Sequence, residues 1–187
     1  VAGADLKFFV DNSTPERLGN IIAFTRAGKE LLHTIDVSDK PVVALVSGFA
    51  LGGGLEVALA ADAVFADQSA VFSFPEVTSV GIYPGLGGTY RAPRKVGVGT
   101  AKWMILTGAP VKAPRAYEIG LLDAPPAGLG ATLERLRQRA EQGPLSVREF
   151  IQELTEPSLG DRVDVRAAFQ VQEEADIEVG LQRMAAT

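Results

Sequence analysis

Two glutamates beside two glycine-rich runs are the residues of this chain best suited to chemistry. Glu56 closes the stretch Gly48-Phe49-Ala50-Leu51-Gly52-Gly53-Gly54-Leu55-Glu56. Glu76 follows Phe74-Pro75 and precedes Gly81-Ile82-Tyr83-Pro84-Gly85-Leu86-Gly87-Gly88. Three glycines where a strand turns into a helix let the backbone approach a ligand with no side chain between. The first turn of a helix adds unpaired N–H groups and the positive end of the dipole, which together suit a negative oxygen. Glu56 stands on that first turn. Other chemistries fit less well. The chain has one histidine and no cysteine, so a Ser-His-Asp triad would need His33, inside an amphipathic helical pattern far from any strand end. A phosphate-binding loop wants a lysine after its last glycine, and Leu55 and Glu56 stand there instead. Gly52-Gly53-Gly54 does not satisfy a dinucleotide fingerprint. No cluster has metal-ligand spacing. Paired-carboxylate proton chemistry beside backbone N–H donors remains. Such a site suits an enolate-like transition state, with charge on a carbonyl oxygen and protons moving at neighbouring carbons.

The elements that must position these groups read as follows. Pro41–Val46 is a short apolar run, expected as a buried strand, and Leu55–Ala61 is expected as a helix. Asp62–Ala66 and Ala70–Phe74 read as two further strands, the second ended by Pro75 and Glu76. Thr14, Pro15 and Glu16 form a helix start, and apolar residues from Leu18 to Ile35 recur at helical spacing. Val1–Asp5 looks like the end of a strand entering a turn, with Asp5 as a turn or cap residue. Thr89–Val96 and Ala101–Leu106 are expected as helices broken at Gly97-Val98-Gly99. Pro114–Ile119 is a short helix closed by Gly120, and Leu121-Leu122 a short strand. Helices are expected at Leu133–Gln142, Ser146–Leu154 and Val165–Met184, with linkers at Pro125–Gly128 and Glu156–Gly160. Strands and helices interleave in the first half and helices alone follow. That order predicts an α/β core over residues 1–124 and a helical C-terminal region over residues 125–187.

Composition sets outer bounds. A chain of 187 residues that is 47% hydrophobic has enough apolar side chain for a sizeable core. A net charge of −5 argues against a nucleic-acid surface. The absence of cysteine excludes disulfides and thiolate metal sites and suits a reducing, cytoplasmic setting. No apolar run approaches membrane-spanning length.

Taken in order, these segments resemble the crotonase (enoyl-CoA hydratase/isomerase) superfamily. Gly3-Ala4-Asp5-Leu6-Lys7 resembles the family's first oxyanion-hole segment, and Lys40–Ala44 followed by Gly48–Glu56 resembles the second. Phe74-Pro75-Glu76 and Pro84–Thr89 resemble the second glutamate and the loop behind it. Leu106-Thr107-Gly108 and Ala116–Leu121 resemble the later Leu-Thr-Gly and Ala-x-x-x-Gly-Leu segments. The resemblance implies a crotonase-like (ClpP/crotonase) spiral of ββα units with a helical C-terminal appendage. It implies that the N–H groups of Ala4 and Gly53 hold a thioester oxygen. Glu56 would help activate a water for the β-carbon, and Glu76 would deliver a proton to the α-carbon. Gly52 belongs to the same turn, and Gly85 would lie near the reacting carbons. Tyr83 would be a wall of the acyl pocket. The Ala2 carbonyl and Lys7 would lie near the adenine and phosphate end of CoA. Hydratases of the family carry both glutamates, so hydration of a 2-enoyl-CoA is the implied reaction, with a double-bond isomerase as the alternative. No cofactor is implied beyond CoA as part of the substrate, and no metal. The implied partners are an acyl-CoA and further copies of the chain in a homotrimer or hexamer. Family members also occur fused to a 3-hydroxyacyl-CoA dehydrogenase. The family's opening strands would precede Val1, and its closing basic segment would follow Thr187.

Blander readings apply to other residues. His33 is expected as a surface or packing residue, Asp62 as structural, and Lys7 on base rates as an exposed lysine. Phe49, Tyr83 and Trp103 are by type more often core than ligand contacts. A silent scaffold or RNA-binding relative is disfavoured by the two glutamates and the acidic balance. A serine peptidase would need Ser47 or Ser73 beside the single histidine.

Overall fold

A computed structural model describes residues 3–143 and Glu149. In chain order the elements are α1 (Leu6–Asp11), α2 (Leu18–Asp36), β1 (Val43–Val46), β2 (Phe49–Leu51), α3 (Gly53–Ala60), β3 (Ala63–Ala66) and β4 (Val71–Ser73). They continue with α4 (Glu76–Val80), α5 (Gly88–Val96), α6 (Val98–Thr107), β5 (Val111–Lys112), α7 (Ala113–Glu118) and α8 (Leu129–Glu141). Ala2, the expected helix at Val165–Met184 and, apart from Glu149, the expected helix at Ser146–Leu154 lie outside the described residues.

The apolar run before the glycine triplet does form a strand. β1 pairs in parallel with β3, Val43 opposite Ala63 and Val46 opposite Ala66. After a two-residue break the chain enters β2, which pairs in parallel with β4, Phe49 opposite Val71 and Leu51 opposite Ser73. β5 closes this second sheet against β4, antiparallel. Each parallel connection runs through α3, so two small sheets share one crossover helix and its N-terminus lies at the end of β2. α3 is apolar nearly all round, and Leu55, Ala58, Leu59 and Ala60 are buried. A helix with so little polar surface must sit inside a core. Around it pack Phe72 and Phe74 from the β4 segment, Ala92 and Val96 from α5, Met104 from α6, and Leu121 and Leu122. Full burial of side chains of this size stabilises by about 1.5–3 kcal/mol each before entropy is counted. A second cluster, Ala63 and Phe65 of β3, is covered by Leu136 of α8, which attaches that helix to the core.

Several expectations need correction. Residues 3–5 are not strand; Asp5 caps α1, its Oδ1 accepting from the Lys7 N–H at 2.9 Å. α2 starts at Leu18 rather than Pro15, because residues 14–17 form a separate turn in which the Arg17 N–H donates to the Thr14 carbonyl at 3.0 Å. Leu121 and Leu122 are fully buried but are not a strand. Gly120 adopts φ +80°, and the Leu121 N–H returns to the Ala116 carbonyl at 2.8 Å, a helix-closing bond. Phe49, Tyr83 and Trp103 are not core: they are 60%, 68% and 46% exposed. His33 is exposed on α2, and Asp62 is structural, its Oδ2 accepting the Val42 N–H at 2.9 Å. Among the described residues no helix is long and apolar enough to cross a membrane, and no group of three potential metal ligands forms.

Candidate active site

The site is built on the turn between β2 and α3. Gly52 caps α3 with φ 52° and ψ −124°, a conformation closed to side-chain-bearing residues. Its N–H donates to the Ser73 carbonyl at 2.9 Å, which ties the turn to the end of β4. Gly53 is the first residue of α3, so its N–H has no acceptor within the helix. The segment 3–5 runs alongside. A Cβ added to Gly3 would stand 3.2 Å from the Leu51 carbonyl and 3.9 Å from the Gly53 nitrogen. Ala4, the next residue, therefore sits beside the α3 N-terminus, although it is distant in sequence.

Gly53 and Glu56 are three apart and share one helix face. Glu56 is only 2% exposed. Its Oε1 accepts two backbone N–H groups, from Leu86 and from Gly88, each at 2.7 Å. Its Oε2 lies toward the glycine turn, 4.0 Å from where a Cβ on Gly53 would be. Burial pushes the carboxyl pKa up. The Gly88 and Leu86 donors, then Arg91 and Lys29, pull it back without cancelling the rise.

Glu76 opens α4, the short helix after Pro75. It is half-buried, and its Oε1 is 3.0 Å from where a Cβ on Gly52 would stand. Any side chain at Gly52 would strike this carboxylate. Glu76 Oε2 is buried without a hydrogen-bond partner among the described residues. Burial raises its pKa; its own backbone N–H opposes the rise, and the neighbouring Glu56 charge adds to it. The two carboxylates, expected from the sequence to act together, thus reach consecutive residues of one turn. They differ in surroundings: two donors on Glu56 Oε1 suit an anion, whereas the bare Oε2 of Glu76 suits a protonated acid.

The other expected residues are placed as follows. Gly85 is half-buried against α2, where a Cβ on it would meet Thr25 Cγ2 at 3.8 Å. Tyr83 extends into solvent, and Lys7 is exposed on α1. Ser73 Oγ is turned away from any nucleophilic role, donating to the Gly108 carbonyl at 2.8 Å. The Leu86 and Gly88 amides that grip Glu56 were not singled out from sequence; the glycine run over residues 85–88 was the available signal. Arg91 and Asp36, which pair across the molecule, were also missed. A groove of about 240 Å³ lies elsewhere along α3, lined by Val46, Phe49, Gly54 and Val57 among others, and contains neither glutamate.

The enoyl-CoA hydratase/isomerase family model matches residues 1–183. This chain belongs to that family, within the crotonase superfamily, and has its α/β fold. It is 43% identical over 123 residues to the crotonyl-CoA hydratase of Syntrophomonas wolfei, covering 66% of this chain and 45% of that protein. It is 35% identical over 178 residues to the short-chain-enoyl-CoA hydratase of Clostridium acetobutylicum, covering 94% and 65%. The crystal structure of enoyl-CoA hydratase from Thermoplasma volcanium superposes with a TM-score of 0.69 at 28% identity, over 94% of this chain and 70% of that one. The chain thus spans less than two-thirds of the length of these two curated relatives.

Proposed function

We propose that the protein carries out hydration of a 2-enoyl-CoA to a 3-hydroxyacyl-CoA. The observation that carries this reading is the convergence of Glu56 and Glu76 on the turn at Gly52 and Gly53. The N–H groups of Ala4 and Gly53 take the thioester oxygen, which gains charge as the enolate forms. Glu56, anionic, accepts a proton from water as its oxygen bonds to the β-carbon. Glu76, protonated, gives its proton to the α-carbon. The product gains one OH and one H, and the two acids are left with their protonation exchanged, restored through solvent. The difference between the two carboxylate environments supports this division of roles. The names of the two curated relatives support the substrate class. Lys7 and the Ala2 carbonyl are proposed to meet the CoA portion, with Gly85 and Tyr83 on the acyl side. Residues 125–187 are proposed as a helical region through which copies of the chain associate.

The test follows loss of the enoyl-thioester absorbance with crotonyl-CoA, for the parent and for Glu76→Gln. The expected result is turnover by the parent and a kcat about 10²–10⁴-fold lower in the variant. An inactive parent, or a variant as fast as the parent, contradicts the reading. Supplying a 3-enoyl-CoA and watching for the 2-enoyl product separates hydration from isomerisation.

A further inference from the structure

We propose that Arg91 and Asp36 form a positioning pair that aims the Glu56 carboxylate, acting through the backbone of Leu86. This deepens the hydratase reading and rests on it. Leu86 is fixed at three points. Its N–H donates to Glu56 Oε1 at 2.7 Å. Its carbonyl accepts from Arg91 Nη1 at 3.0 Å. Its side chain lies between helices, where a Cβ on Gly28 of α2 would be 2.6 Å from Leu86 Cδ2 and one on Gly53 of α3 would be 3.6 Å from Cδ1.

The rest of the Arg91 guanidinium is gripped by Asp36 at the end of α2. Nε donates to Oδ1 at 3.2 Å, and Nη2 donates to Oδ2. The pair is shielded, with side chains 12% and 29% exposed. A two-point grip of this kind fixes the plane as well as the distance of the guanidinium. Gly87 makes room for it, since a Cβ there would stand 2.2 Å from Arg91 Nη1. Asp36 therefore keeps the guanidinium on the Leu86 carbonyl, and Arg91 reaches Glu56 through the loop and through its field. The charged groups around Glu56 are Arg91 from α5, Lys29 from α2 and Glu76 from α4. The two cations favour the anionic base, and the neighbouring acid opposes it.

The experiment uses the full chain with ¹³C-carboxyl-labelled glutamate. The Glu56 titration, assigned with Glu56→Gln, is followed by NMR in the parent, Arg91→Met, Arg91→Lys and Asp36→Asn, alongside crotonyl-CoA kinetics. Arg91→Met is expected to move the Glu56 midpoint upward, because a positive field is lost and the donors loosen. Its kcat should fall about 10–100-fold, the cost of a small misplacement of a reacting group, with KM held within about twofold. Arg91→Lys should return the midpoint toward the parent while restoring kcat only in part, since a lysine keeps the charge and lacks the fork. Asp36→Asn should lower kcat without raising KM. A parent-like midpoint and kcat in folded Arg91→Met overturn the proposal. Should Arg91→Met not fold, parent-like kcat in both Arg91→Lys and Asp36→Asn overturns it equally. A parent inactive on crotonyl-CoA contradicts the hydratase reading alone, and the Glu56 midpoints still decide the role of Arg91.

Discussion

Glu56 and Glu76 are acids that the fold holds in unequal surroundings. Both carboxyls titrate above the ordinary range, chiefly because they are buried. An acid of this kind binds its proton more tightly folded than unfolded. Its contribution favours folding below the ordinary carboxylate range and is lost as pH rises through the raised folded value. Glu76, whose Oε2 is buried with no hydrogen-bond partner among the described residues, is the clearer case. Glu76→Gln is therefore expected to melt at a higher temperature than the parent at neutral pH. That advantage should shrink as pH falls into the acid range, which thermal melts at several pH values would read. An advantage constant with pH would mean that folding does not tighten the hold of Glu76 on its proton. These two glutamates were legible in the sequence because each stands beside a glycine or proline signal. Arg91 and Asp36 were not: 55 residues separate them, and no local pattern marks a pair that only the tertiary fold creates.

Among the elements, α3 and α5 matter most for the site, because they meet at a point with no spare room. A Cβ on Gly88 would come within 2.8 Å of Phe74 Cε1, 2.9 Å of Pro84 Cβ and 3.1 Å of Glu56 Cγ. The glycine allows α5 to start against the Glu56 side chain and to give it a backbone donor. Gly88→Ala is expected to destabilise the fold by about 1–3 kcal/mol through overpacking and to lower kcat as the donor shifts. Urea denaturation and crotonyl-CoA kinetics would show both, and unchanged values in the two assays would contradict this packing account. The longer elements α2, β1, α3, β3, α5 and α6 were readable in the sequence, and the three-residue β4 was readable because it lies within the apolar run Ala70–Phe74 before Pro75. β2 and β5, of three and two residues, are too short to show alternation. Leu121-Leu122 shows the opposite failure. Its apolar pair suggests a strand, yet its backbone bonds return to α7, and it is Asp123 that reaches β3, its Oδ2 accepting the Val64 N–H at 2.7 Å.

For the molecule as a whole, the core exists to bring distant segments to one turn. Residues 3–4, the turn at 52–53, Glu76 and the loop over 85–88 are separate in sequence and adjacent around the N-terminus of α3. Leu122, fully buried in the main cluster, contributes to that assembly from a segment outside all four of these. Leu122→Ala should cost about 2–5 kcal/mol of stability while leaving kcat near the parent value below the melting range; a large loss of kcat in the folded variant would show that the site is not insulated from this part of the core. The central claim is that Glu56 and Glu76 act as one unit on one substrate. A double-mutant cycle in kcat on crotonyl-CoA, with Glu56→Gln, Glu76→Gln and the pair, tests it most directly. Groups that act as a unit are strongly non-additive, so the double variant should be little slower than the slower single. Losses that multiply in the double variant, as for independent sites, would contradict the account.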